Sequence, residues 1–97
     1  MNSLQEIKDS LARKKQTLAA RFRVRELGVF GSCVRGEQHK GSDVDILVDF
    51  DEVPDLFEFW RLERYLRRLL KRKVDLVRKP AIRKELRHTI LKEVVYI

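Results

Sequence analysis

Apolar residues recur along this chain with two periods, and the alternation between them predicts the fold. Leu4, Ile7, Leu11 and Leu18 stand at helical spacing behind Ser3 and Glu6, a capping-box pair, so an amphipathic helix is expected over about residues 3–21. Val24 to Phe30 reads as a strand, with Gly28 marking a bulge or a close-approach point. A short helix over 32–37, opening at Ser32, and a polar loop, Glu37-Gln38-His39-Lys40-Gly41, come next. Asp43 to Phe50 is the clearest strand: Val44, Ile46, Val48 and Phe50 fall on one face, and Asp43, Asp45, Leu47 and Asp49 on the other. Pro54-Asp55 opens a helix, with Asp55 and Glu58 in the capping pattern and Phe59, Leu62, Leu66, Leu69 and Leu70 as its apolar stripe. Val74 to Val77 is a short strand holding Asp75. Pro80 takes a first-turn position in a last helix striped by Ile82, Leu86 and Ile90, and Val94 to Ile97 forms a terminal strand. Helices alternate with strands throughout, which describes an α/β domain, a small mixed sheet packed by helices.

Size narrows the possibilities. A chain of 97 residues is expected to form one domain, 1–97, with a modest core and no second, base-reading domain. No apolar run has the length of a transmembrane helix, and Met1-Asn2-Ser3-Leu4 lacks the apolar stretch of a signal peptide. Cys33 is the only cysteine, which excludes an internal disulfide and a cysteine metal site. A cytoplasmic protein is the expectation. The net charge of +7 conceals an asymmetry. Residues 37–58 carry eight acids and one base, whereas residues 59–97 carry thirteen bases and four acids. Basic surface suits a polyanion: a triphosphate, nucleic acid or an acidic partner. The acidic centre coincides with the aspartates of the 43–50 strand, which points to a metal there.

Those aspartates carry the chemistry. Asp43 and Asp45 point the same way about 6.6 Å apart along a strand, where two bare charges repel by about 2.5 kcal/mol at an effective dielectric of about 20. A cation offsets that cost, and the spacing suits the paired metals of phosphoryl transfer. Asp75 lies between Val74 and Leu76 in an apolar strand, where an unpaired charge is costly. Beside the Asp43–Asp45 strand it would complete a hard-oxygen magnesium site. Upstream, Gly31 permits a sharp turn and close ligand approach, and Ser32 would open a helix whose N–H groups receive phosphate. Arg35 either reaches a phosphate or braces the Asp loop. Ser42 either orients a carboxylate, contacts phosphate or is a plain turn serine.

Gly31-Ser32-x-x-Arg35-Gly36, followed by Ser42-Asp43-x-Asp45, resembles the signature of the polymerase beta nucleotidyltransferase superfamily, and its minimal nucleotidyltransferases in particular. The resemblance spans nearly the whole chain, and Asp75 falls at the family's third carboxylate. It implies the fold of that superfamily and a reaction in which an acceptor hydroxyl attacks the α-phosphate of magnesium-ATP and pyrophosphate leaves. Asp43 and Asp45 would hold two magnesium ions with help from Asp75, and Gly31, Ser32, Arg35 and Ser42 would face the nucleotide. It also implies a partner, a HEPN toxin silenced by adenylylation of a tyrosine in a toxin–antitoxin pair. Two other functions stay open from the residues alone: a non-catalytic binding module that neutralises a partner by covering it, and a basic nucleic-acid-binding domain.

Other residues are expected to be structural. Arg67, Arg68, Lys71, Arg72 and Lys73 read as a solvated helix end without the interleaved aromatics of a single-strand binder, with a partner or RNA surface as the alternative. His39 and His88 have no metal-ligand spacing. Phe57 and Phe59 cannot share one helix face, so one of the trio Phe57, Phe59 and Trp60 is available to a partner. Tyr65 and Tyr96 are expected to pack. Cys33 has no identifiable base beside it.

Overall fold

The computed structural model describes residues 3–37 and 42–97. Residues 38–41 of the predicted polar loop, which include His39, lie outside the described residues. Element order is α1 (Leu4–Arg13), α2 (Lys15–Phe22), β1 (Val24–Phe30), α3 (Ser32–Arg35), β2 (Val44–Phe50), α4 (Leu56–Leu70), β3 (Val74–Arg78), a 3-10 turn (Lys79–Ala81), α5 (Lys84–Glu93) and β4 (Val95–Tyr96). The four strands form one mixed sheet in the order β3-β2-β1-β4, with β2 and β3 parallel and β1 antiparallel to both its neighbours. This is the expected α/β architecture.

Both capping boxes form. Ser3 Oγ accepts from the Glu6 N–H, and the Asp55 carboxylate accepts from the Glu58 N–H at 2.8 Å, each glutamate returning the bond. The anticipated single helix over 3–21 is instead two, broken at Lys14. The break lets α1 lie against α4 while α2 turns to lead into β1. One face of the sheet is covered by α1, α2 and α4: Ile7, Leu11, Leu18, Leu62 and Leu66 lie against Val29, Val44, Ile46 and Val48. Each fully buried leucine there contributes about 2 kcal/mol. The other face is smaller, with Phe30 and Leu47 covered by Ile82, Ile90, Leu91 and Val94. That second layer explains why β2 buries Leu47 among its aspartates.

The last helix starts later than expected. Pro80 belongs to the 3-10 turn, α5 begins at Lys84, and Leu86 is exposed. Gly28 proves a close-approach point, since a Cβ there would lie 2.5 Å from Val94 Cγ2; the register shift in β1 falls earlier, between Val24 and Glu26. Tyr65 packs on Phe22 at 5.4 Å, whereas Tyr96 is 42% exposed with Lys79 Nζ 5.5 Å from its ring centroid. Among the described residues no helix is long and apolar enough to cross a membrane.

Candidate active site

The sheet gathers the candidate residues at one end. Phe30, the last residue of β1, pairs with Asp45 of β2, and Asp45 is the register partner of Asp75 on the parallel strand β3. Adjacent strands lie about 4.8 Å apart, so the two carboxylates leave neighbouring positions on the same face. Asp43 lies two residues before Asp45, at the entrance to β2, and is exposed. The buried setting expected for Asp75 does not hold. β3 is an edge strand and Asp75 is solvent-exposed, so it sits there without a desolvation cost.

Immediately after β1 the chain turns at Gly31, whose φ of 79° and ψ of −154° belong to a region that glycine alone occupies comfortably. A Cβ at Gly31 would stand 2.1 Å from Asp45 Oδ2. The turn therefore presses directly on the half-buried carboxylate. Burial, then the charge of Asp75, then that of Asp43 push the Asp45 carboxyl up to about 6, with Arg35 opposing. This end of the sheet is short of positive charge.

α3 is a single turn, and Gly31 rather than Ser32 occupies its N-cap. So short a helix contributes little dipole, and the anion-binding capacity of the turn rests on its backbone N–H groups and the Ser32 hydroxyl. Cys33 is buried in this turn, and burial raises its thiol pKa, consistent with a packing role. The Ser42 carbonyl accepts a hydrogen bond from Arg72, which ties the entrance of β2 to the basic segment after α4. Asp49, at the other end of β2, bonds to Arg25 at 2.7 Å, and that bond lowers its carboxyl pKa.

One residue at the site was not anticipated. Glu93, the last residue of α5, accepts from the Gly31 N–H at 2.8 Å and from Arg35 Nη1 at 2.7 Å. Arg35 Nε also donates to Glu37 at 2.9 Å. Arg35 thus braces the end of α5. A glutamate at the C-terminal end of a helix opposes the macrodipole, and that misplacement was the sequence signal that Glu93 has another partner. The partner itself, 62 residues away, was not readable.

The nucleotidyltransferase domain family matches residues 4–97. The protein adenylyltransferase MntA of Thermococcus cleftensis is 53% identical over 97 residues, covering 100% of this chain and 98% of that protein. A solved toxin–antitoxin with AMP-PNP contains a chain 27% identical, superimposing with a TM-score of 0.71 over 87% of this chain and 69% of that one. The fold recurs in a complex of a tri-AMPylated Shewanella oneidensis HEPN toxin with its MNT antitoxin, at a TM-score of 0.68 and 20% identity, over 93% of this chain and 70% of that one. The chain belongs to the nucleotidyltransferase domain family, as an enzyme of its minimal, MntA-like branch with the polymerase-beta-type fold.

Proposed function

We propose that this protein transfers AMP from magnesium-bound ATP to a hydroxyl of a partner protein, a tyrosine of a HEPN-type toxin, and thereby acts as an antitoxin. The observation that carries the reading is the contact between the Gly31 turn and Asp45 with Asp75 in register beside it. A phosphate-sized turn and paired carboxylates share one end of the sheet. The adenylyltransferase name of the Thermococcus relative supports the reaction, and the AMP-PNP of the toxin–antitoxin relative supports ATP as donor.

The donor set fits magnesium. Asp43, Asp45 and Asp75 offer hard oxygen ligands, and the Asp45 carboxyl, pushed up first by burial and then by the charges of Asp75 and Asp43, is in a setting that a bound cation would relieve. Among the described residues no three acidic, histidine or cysteine side chains close a metal site by themselves. Magnesium characteristically retains waters and takes phosphate oxygens as further ligands, so such an open set suits it. When bound, the metal supplies charge stabilisation at the phosphoryl oxygens and lowers the pKa of the attacking hydroxyl. The chain's own part is positional. Gly31 lets the backbone come close to the triphosphate, Ser32 and Ser42 offer hydroxyls, and Arg35 is held at the rim by Glu37 and Glu93. The acceptor oxygen forms a bond to the α-phosphorus as the bond to the β-phosphate bridging oxygen breaks. Pyrophosphate departs, and a site carboxylate or water receives the hydroxyl proton.

Tandem mass spectrometry of the HEPN partner after incubation with ATP and magnesium is expected to place AMP on tyrosine. AMP on serine or threonine alone would displace tyrosine as acceptor, and an unmodified partner would contradict the reading. Glu93 gives a second prediction. Glu93→Ala releases both Arg35 and the Gly31 N–H, and transfer is expected to fall about 10- to 100-fold, by analogy with the loss of groups that orient the residues lining a metal site. Glu93→Gln keeps an acceptor for Gly31 and should fall less. Steady-state kcat and KM for ATP, measured beside thermal melts, check the order.

A further inference from the structure

Away from the nucleotide site, the start of α4 is unusually apolar for a surface. Leu56 is 84% exposed, Phe57 72% and Trp60 48%, with Val53 just ahead of the helix 76% exposed. The same outward face continues along α4 as Arg61, Arg64 and Arg68. A groove of about 390 Å³ separates this face from the end of α2, lined in part by Arg21, Phe22, Trp60, Arg64 and Tyr65. The Arg64 guanidinium lies 4.7 Å from the Trp60 ring centroid, and that of Arg21 lies 5.2 Å from Phe22 and 5.5 Å from Tyr65. Arg21, Arg61, Arg64 and Arg68 meet no carboxylate within ion-pair distance among the described residues. Glu58, the one acid in the lining, is engaged in the helix cap.

Clustered exposed apolar side chains mark docking surfaces, and Trp and Arg are the residues most enriched among those that dominate binding energy. The charge selects the occupant. A two-fold contact between copies of this face would set one arginine belt against another, so a second copy is disfavoured. Nucleic acid would leave Leu56, Phe57 and Val53 without apolar partners. A protein segment that is apolar at one end and acidic along the other satisfies both halves.

The location matters as much as the chemistry. Phe59 packs on Phe50, so the start of α4 lies at the Val24–Phe50 end of the sheet. The Phe30–Asp45–Asp75 end is five positions away along β2, about 17 Å. We propose that this face of α4, with the end of α2, docks the HEPN-type toxin through an acidic, apolar-ended segment, and that docking is physically separate from adenylyl transfer. The proposal rests on the toxin–antitoxin reading above.

Calorimetric titration of the purified HEPN partner into the full chain tests it. Phe57→Ser/Trp60→Ser and Arg61→Glu/Arg64→Glu are each expected to weaken binding at least about tenfold, which is about 1.4 kcal/mol, since aromatic and arginine anchors dominate such interfaces. Phe57, Trp60, Arg61 and Arg64 are all exposed side chains, and thermal melts of each variant should match wild type. Asp43→Asn/Asp45→Asn should bind as wild type. Wild-type affinity in both α4 variants would overturn the docking face while leaving the transfer reading intact. Binding lost in the Asp43/Asp45 variant instead would place the partner at the nucleotide end and also overturn it. A wild-type chain that does not bind the HEPN protein would remove the toxin–antitoxin reading and this proposal together. A dimer in size-exclusion chromatography that Phe57→Ser/Trp60→Ser dissociates would assign the face to a second copy. Binding of a labelled oligouridine that only Arg61→Glu/Arg64→Glu abolishes, with toxin binding unchanged, would assign it to RNA.

Discussion

Asp43→Asn/Asp45→Asn protein is expected to transfer AMP at no more than about a thousandth of the wild-type rate. Metal-centred charge stabilisation is worth several kcal/mol, and each factor of ten in rate corresponds to about 1.4 kcal/mol. Stability should move the other way. The Asp45 carboxyl is pushed up to about 6 by burial, Asp75 and Asp43, from an ordinary value of 3.8. Between those values the folded chain holds the proton and the unfolded chain has lost it. The group's contribution to stability is therefore greatest below pH 3.8 and is lost as pH rises through 6. Asn carries no charge at any pH. Asp45→Asn should melt higher than wild type above pH 6 in EDTA, with the gap closing as the pH is lowered toward 4. Magnesium and ATP should narrow the gap by stabilising wild type alone. Paired melts across pH, with and without magnesium, check the sign. A variant that melts lower than wild type at pH 8 in EDTA would contradict the repulsion inferred at this end of the sheet.

Gly31→Ala carries the largest expected cost to the fold. Its backbone angles lie in a region that costs a side-chain-bearing residue about 1–3 kcal/mol, and the added Cβ would meet Asp45 Oδ2 at 2.1 Å and Asp45 Cβ at 3.2 Å. The Asp45 side chain is too short to swing wholly clear, and overpacking of this kind adds about 1–3 kcal/mol. The melting temperature should drop by about 10 °C or more, and transfer should be lost even where the variant remains folded. Gly36→Ala supplies the contrast. Gly36 also has positive φ, 73°, but a Cβ there meets nothing within 4 Å among the described residues, so the backbone penalty of about 1 kcal/mol is the cost expected. Melting both variants separates the clash with Asp45 from the general cost of positive φ. Equal losses in the two would contradict a turn packed on the carboxylate.

Local signals were the readable ones. Ser3 with Glu6 and Asp55 with Glu58 mark helix starts because a capping box is satisfied within four residues. The alternation through Val44, Ile46 and Val48 marks β2 because one face of the sheet is packed throughout. The candidate site was legible to the same extent: Gly31, Asp43 and Asp45 lie close in sequence on either side of one connection. What depended on strand order was not. Asp75 was expected to be buried because its neighbours Val74 and Leu76 are apolar, yet an edge strand can bury those two and leave the residue between them open. The break at Lys14 reflects the different directions in which α4 and β1 draw α1 and α2. Glu93 reaches Gly31 and Arg35 only because α5 crosses the back of the sheet, which periodicity does not encode. The apolar start of α4 was visible as Phe57 and Trp60, but which of the aromatics stays outside was decided by Phe59 packing on Phe50.

Delivery of AMP from ATP to the partner by the Gly31 turn and the aspartates beside it leaves the α-phosphate, and no other, on the partner. Incubation of wild-type protein, HEPN partner and magnesium with ATP labelled at either the α- or the γ-phosphate tests it most directly. Label retained on the partner from α-labelled ATP alone, and abolished by EDTA or by Asp43→Asn/Asp45→Asn, is the predicted result. Label retained from γ-labelled ATP, or transfer undiminished in the double variant, would contradict it.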